Sequence, residues 1–302
     1  MANKPAYIIT GPTSGIGRLT ALELAKRGTV VLVGRNRMKL ADVCKTIERR
    51  GGRAVSVECD LSDITSVRHA AAKIVALPLP IAGLLNNAGI RQIRPTKSAQ
   101  GWDMTFATNH LGPFALTEAL VPHLVDGTEV VFVVSAVEDP ERKLAASAGF
   151  RGGRYISAEA SARGEWEAGG SAQPGFDSYA TSKQAALAAA LALARETPRL
   201  RINALEPGFT PNTGLGRDAP AALRFVANHV LPLVAPFIPQ WSTPIRAARL
   251  AAKLVTDTSP RTGAYYDERG RPMQGSKRVR DHAFQDRVVE ETRALLAKVS
   301  AP

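Results

Sequence analysis

Ala6-Tyr7-Ile8-Ile9-Thr10-Gly11-Pro12-Thr13-Ser14-Gly15-Ile16-Gly17-Arg18 is the stretch whose reading decides the fold. Five residues rich in large apolar and β-branched side chains read as a buried strand. Glycines at 11, 15 and 17 then break the chain, and a leucine- and alanine-rich segment to Arg27 reads as a helix. Glycine in a strand-to-helix turn allows a tight reversal and a close backbone approach to a ligand. The first N–H groups of the helix are uncommitted and attract an anion such as a pyrophosphate. Gly11, Thr13, Ser14, Gly15, Ile16 and Gly17 are therefore the expected cradle, with Arg18 beside it. An ordinary strand–helix turn is the competing reading, and the flanking elements decide between them.

Working outward, short apolar strands alternate with helical segments. Strands are expected over 6–10, 29–33, 53–58, 81–85, 129–134, 200–205 and 263–266. Helices are expected over 15–27, 37–50, 62–76 (with Ser62 as N-cap), 102–121, 177–196 (capped by Asp177 or Ser178), 243–256 and 278–299. Alternation of this kind builds a parallel sheet through crossover helices. The expected architecture is α/β: a single-domain, Rossmann-type doubly wound parallel sheet of about seven strands with helices on both faces, spanning 1–302. Residues 136–176 interrupt the rhythm and read as an insertion, while the apolar, proline-punctuated region 210–242 reads as a substrate lid.

Composition narrows the function classes. With 302 residues and 45% hydrophobic side chains, a large core is affordable and disorder is excluded. The start lacks a basic-then-apolar leader and no long apolar run suggests a membrane span, so a cytoplasmic protein is expected. Cys44 and Cys59 have no metal-ligand or redox spacing. A net charge of +12 raises nucleic-acid binding, but the basic residues are scattered without interleaved aromatics, so a solvated basic surface is preferred. Membrane contact through the apolar region is the minority reading.

Two further places carry chemistry. The second strand ends at Gly34-Arg35-Asn36-Arg37, where an acidic residue would hydrogen-bond the adenosine ribose of NAD. Arg35, with Asn36 beside it and Arg18 across the turn, suits a 2′-phosphate instead, so NADP(H) is favoured over NAD(H). A solvated loop arginine is the alternative. Asp60, followed by Leu61 at the end of the third strand, is placed for the adenine amino group or for a helix cap. Tyr179 and Lys183, in Ser178-Tyr179-Ala180-Thr181-Ser182-Lys183, stack on one helix face, and a neighbouring ammonium is expected to pull a phenol down from about 10. Ser135 ends an apolar strand. Together with the glycine turn they indicate a nicotinamide-dependent oxidoreductase.

The ordered set Thr10-Gly11…Gly15-Ile16-Gly17, Asp60-Leu61, Asn86-Asn87-Ala88-Gly89, Asn109, Ser135, Tyr179…Lys183 and Pro207-Gly208 resembles the short-chain dehydrogenase/reductase family over nearly the whole chain. Arg18, Asn109-His110-Leu111-Gly112-Pro113-Phe114 and Gly263-Ala264-Tyr265-Tyr266 are similar to its retinol-dehydrogenase-like branch. The Ser135-to-Tyr179 gap is longer than the family's usual spacing, which leaves Ser147 or Ser157 as rival serines.

The resemblance implies carbonyl–alcohol interconversion on a medium-sized, mainly apolar substrate. It makes Tyr179 the acid/base, Ser135 the carbonyl's hydrogen-bond donor and Lys183 the group that tunes the tyrosine and binds the nicotinamide ribose. Asn109 holds a water that connects Lys183 to solvent. It further implies that Asn86, Ala88 and Gly89 approach the adenosine side, and that Pro207, Gly208 and Thr213 close over nicotinamide and diphosphate. No metal is expected, and a homodimer or homotetramer is. A catalytically silent NADPH-sensing regulator on the same fold is the alternative. His110 reads as a structural histidine and Tyr155 as non-catalytic.

Overall fold

The computed structural model describes residues 4–210 and 241–300. Eight strands form one sheet in the order β3-β2-β1-β4-β5-β6-β7-β8. They are β1 (Ala6–Thr10), β2 (Thr29–Gly34), β3 (Arg53–Glu58), β4 (Ile81–Asn86), β5 (Glu129–Val133), β6 (Arg201–Leu205), β7 (Tyr265–Tyr266) and β8 (Pro272–Met273). All neighbours run parallel except the last, where β8 adds an antiparallel ribbon that the strand pattern had not disclosed. Two residues, one of them proline, are too short to show a period.

The strands alternate their side chains between two cores. Ile8, Val31, Val33, Leu84, Val130 and Phe132 face one set of helices: α3 (Ile64–Val75), α5 (Gly112–Leu120), α8 (Pro174–Glu196) and the C-terminal helix His282–Ala297. Tyr7, Ile9, Val30, Leu32, Leu85 and Val131 face α1 (Gly15–Leu24), α2 (Arg37–Glu48) and the helix Pro244–Val255. Burial on both faces is why these strands read as continuous apolar runs. β1 and β4 are neighbours from which the chain winds in opposite directions, so the carboxyl ends of β1 and β4 open a crevice.

Several local expectations need correction. Asp63, not Ser62, caps α3 by accepting from Thr65 N–H, while Ser62 donates to Asp60. Helix α8 starts at Pro174, ahead of Asp177 and Ser178: proline suits a first turn, and Asp177 instead accepts from Ser171 N–H. The expected helix over 102–121 begins with α4 (Met104–Phe106), passes through a π-helical turn at Ala107–Leu111 and continues as α5. The last helix is broken at Asp281, which caps His282–Ala297.

The insertion is docked on its own chain. It contains α6 (Lys143–Ser147) and α7 (Ala158–Arg163). Tyr155 is fully buried and donates its hydroxyl to Glu291 on the C-terminal helix at 2.7 Å, and the same carboxylate accepts from Ala158 N–H. Ser147 lies on the exposed side of α6, and Ser157 caps α7.

His110 is buried between Phe106 and Phe114 and meets Thr292 at 2.9 Å. Burial pushes its imidazole down to about 3. The unfolded chain therefore binds a proton that the native state refuses between the ordinary histidine range and about 3, so stability is lost as pH falls through that window, by at most about 1.4 kcal/mol per pH unit. Urea midpoints between pH 7 and pH 4 should fall less steeply in His110→Gln than in the parent, and parallel slopes would refute this.

Candidate functional site

The crevice begins at β1. Gly11 and Gly15 hold positive φ, the left-handed region that glycine tolerates. A Cβ on Gly17 would stand 2.2 Å from the Gly11 oxygen and 2.4 Å from Asn87 Nδ2, so α1 closes on the turn only because this residue has no side chain. Ser14 caps α1 without spending its hydroxyl on the helix. Thr13, Gly15 and Ile16 line this turn, and Arg18 is exposed next to it. A cradle of this shape at a helix N-terminus fits a dinucleotide pyrophosphate.

Asn87 is the residue sequence reasoning missed here. Its Nδ2 donates to Thr10 O at 2.9 Å, while Thr10 Oγ1 accepts from the N–H groups of Asn87 and Ala88, each at 2.9 Å. The ends of β1 and β4 are thereby stapled together. Asn86, the expected contact, instead turns its side chain into the packing against α5, where Nδ2 donates to Thr117. Strand alternation explains the exchange, because adjacent residues point to opposite sides.

Arg35 is exposed at the end of β2, and Asn36 caps α2 by accepting from Lys39 N–H. Asp60 accepts from both the N–H and hydroxyl of Ser62, and the helix cap, its alternative reading, falls to Asp63. The Leu61 side chain belongs to the core. Thr213, and all but the margins of the expected lid over 210–242, lie outside the described residues.

At β5, β6 and α8 the remaining residues gather. Lys183 Nζ donates to Val133 O at 2.9 Å and sits 5.7 Å from the centre of the Tyr179 ring. A Cβ on Gly89 would lie 3.4 Å from that nitrogen and 3.5 Å from Asn109 Oδ1. Asn109, displaced into place by the π-helical turn, accepts from Ile90 N–H at 2.8 Å and donates to Ile90 O and Ser182 Oγ. Ser182 in turn donates to Tyr179 O. Asn109 thus ties the β4 loop to the turn of α8 that carries both Tyr179 and Lys183.

Electrostatics here run against the simple expectation. Burial pushes the Tyr179 phenol up to about 12, with Glu206 adding to the rise, and Arg91 and Ser135 pull it back. Lys183 is itself desolvated, to about 8, with Glu206 opposing the drop. The correction is physical: burial of the phenol outweighs the charges around it, and Lys183 is not among the groups that shift it.

Glu206 is the second residue missed. Its two oxygens accept from Ala136 N–H, next to Ser135, and from Gly208 N–H at 3.1 Å. One carboxylate thus clamps the end of β5 to the Pro207-Gly208 turn, where Gly208 also holds positive φ. Burial raises its carboxyl to about 7 despite those two donors and Lys183. The sequence showed only a polar residue ending a strand. Phe150 and Phe176 stack at 4.2 Å beside Tyr179, and Phe209 packs on Trp241 at 4.8 Å, giving the site apolar walls.

Comparison with known proteins agrees with this fold. Residues 5–146 match the family model described as short chain dehydrogenase. Human retinol dehydrogenase 13 is 38% identical over 120 residues, covering 39% of this chain and 36% of the human protein, so the matching stretch spans little more than a third of that relative. A crystal structure of an uncharacterized protein from Mycobacterium paratuberculosis superposes with a TM-score of 0.67 at 26% identity, covering 100% of this chain and 98% of that one. A Beutenbergia cavernae protein described as an NAD(P)-dependent gluconate 5-dehydrogenase by assignment, solved with NADP at low occupancy, gives a TM-score of 0.63 at 25% identity, covering 87% and 94%.

Proposed function

We propose that the chain, whose residues 5–146 match the short chain dehydrogenase model, interconverts a carbonyl and an alcohol on a mainly apolar substrate, using NADP(H). One observation carries the reading: Tyr179, Lys183 and Ser135 converge where the glycine turn and the Gly89 backbone leave a crevice. The turn from Gly11 to Gly17, together with Arg35, would hold the dinucleotide, which when bound would supply or accept the hydride. Ser135 hydrogen-bonds the substrate oxygen and stabilises its growing charge. Tyr179 gives that oxygen its proton. A phenol held at about 12 is still more acidic than an aliphatic alcohol, so proton donation to the alkoxide is downhill. Asn109 holds the tyrosine's helix turn against the loop at Ile90, and Lys183 holds it against the end of β5. Phe150 and Phe176 keep water from the site.

The choice of NADP(H) rests on Arg35, exposed just after β2, and Arg18, exposed in the first turn of α1, with no carboxylate in the ribose position. The NADP-bound relative is consistent with it. A panel of aldehydes and ketones, followed through dinucleotide absorbance, tests the function, and tight NADPH binding with no turnover on any of them would favour the silent regulator instead. In the same assay Arg35→Ala should lower the NADPH-over-NADH preference in kcat/KM by about tenfold, the worth of a charge-assisted pair. An unchanged ratio would remove Arg35 from the phosphate site.

A further inference from the structure

Arg91, in the loop after Gly89, has no role in the chemistry above. Its guanidinium carbon lies 5.3 Å from the centre of the Phe176 ring. Phe176 stacks on Phe150, and Phe150 packs at 6.2 Å against the Tyr179 ring. Its Nε is closed off from solvent without a hydrogen-bond partner. Among the described residues no carboxylate pairs with it, whereas arginines 142, 163, 195, 199, 201 and 293 each have one. Its charge reaches the Tyr179 hydroxyl, since it is one of the two groups that pull the phenol down.

A partly buried guanidinium without an anion has given up hydration and gained only a ring face in return. Such a group becomes favourable when a ligand completes it. We propose that Arg91 is a specificity-determining residue that pairs with a carboxylate on the substrate, so that the preferred carbonyl compounds are acids with an apolar body. This rests on the reading of Tyr179 as proton donor, which fixes where the reacting oxygen sits. The planar fork of arginine matches a carboxylate in two parallel hydrogen bonds, which a lysine cannot reproduce. Phe150 and Phe176 supply an apolar wall between that anchor and the tyrosine. The pyrophosphate cradle lies elsewhere, at the end of β1.

Calorimetric titration of the full chain with phenylacetate and phenylacetamide, in the presence of NADP+, tests this without turnover. Phenylacetate should bind about tenfold or more tightly than the amide, and Arg91→Met should bring the two within a few-fold. In turnover, a keto acid should exceed its methyl ester in kcat/KM by a similar ratio, and that ratio should collapse in the variant. If Arg91→Met does not fold, Arg91→Gln and the parent's own acid-to-amide ratio decide. The assignment is overturned if the acid binds no more tightly than the amide, absence of binding included. It is also overturned if the preference survives in the variant, or if the variant loses affinity for NADP+ itself. Arg91-dependent phenylacetate binding in a protein that reduces no carbonyl would uphold the anion subsite while sinking the oxidoreductase reading.

Discussion

Tyr179→Phe is expected to lose turnover by about a hundredfold to ten-thousandfold, the range that general acid catalysis contributes, while keeping its affinity for NADPH. The ring is buried in a small apolar cluster with Phe150 and Ala180, so phenylalanine preserves the packing and removes only the hydroxyl. The loss should fall on kcat, because the proton is needed when charge develops on the oxygen and not when substrate binds. Equal kcat in the variant would exclude the phenol as proton donor and leave the crevice as a binding site only. Parallel titration with NADPH guards against the trivial explanation of a collapsed cleft.

The second large effect is expected at Glu206. Glu206→Gln keeps one oxygen but turns an NH2 toward a backbone N–H, so either Ala136 or Gly208 loses its acceptor. An orphaned N–H in a buried place costs about 1–3 kcal/mol, and here the loss displaces Ser135. Turnover should drop about tenfold to a hundredfold with a smaller change in KM. The pH profile separates this from general damage. The clamp needs the ionised carboxylate, whose pKa is raised to about 7, so parent activity should fall as pH drops through that value. Above about 8 the Lys183 ammonium is lost and activity should fall again. As the two groups interact, these limbs belong to the pair. Glu206→Gln should flatten the acid limb and move the alkaline one to lower pH, because Glu206 holds up the Lys183 ammonium, and a variant with both limbs unchanged would remove Glu206 from the site.

Both effects turn on residues of unequal visibility. Tyr179 and Lys183 announce themselves by a spacing of four on a helix. Ser135 is marked by the apolar run before it, although the long gap to Tyr179 left two rivals that only the structure disposes of, by placing one on an exposed helix and the other at a helix cap. Glu206 carries no such mark, because its significance lies in two backbone N–H groups, one of them seventy residues away along the chain. Arg91 is equally silent: an arginine in a loop reads as solvated until its neighbours prove to be rings and its carboxylate partner is missing among the described residues.

Local chemistry, then, was enough for the strands, the glycine turn and the helix that carries the tyrosine. Those depend on periodicity, on φ that only glycine adopts freely, and on side-chain direction, all of which are properties of a few consecutive residues. Tertiary structure alone decided which of Asn86 and Asn87 staples the turn, how a π-helical turn brings Asn109 to Ile90, and that burial raises the phenol in place of lowering it. Each of those depends on how much water remains around a group once distant segments close over it, and solvent exclusion is a property of the whole fold.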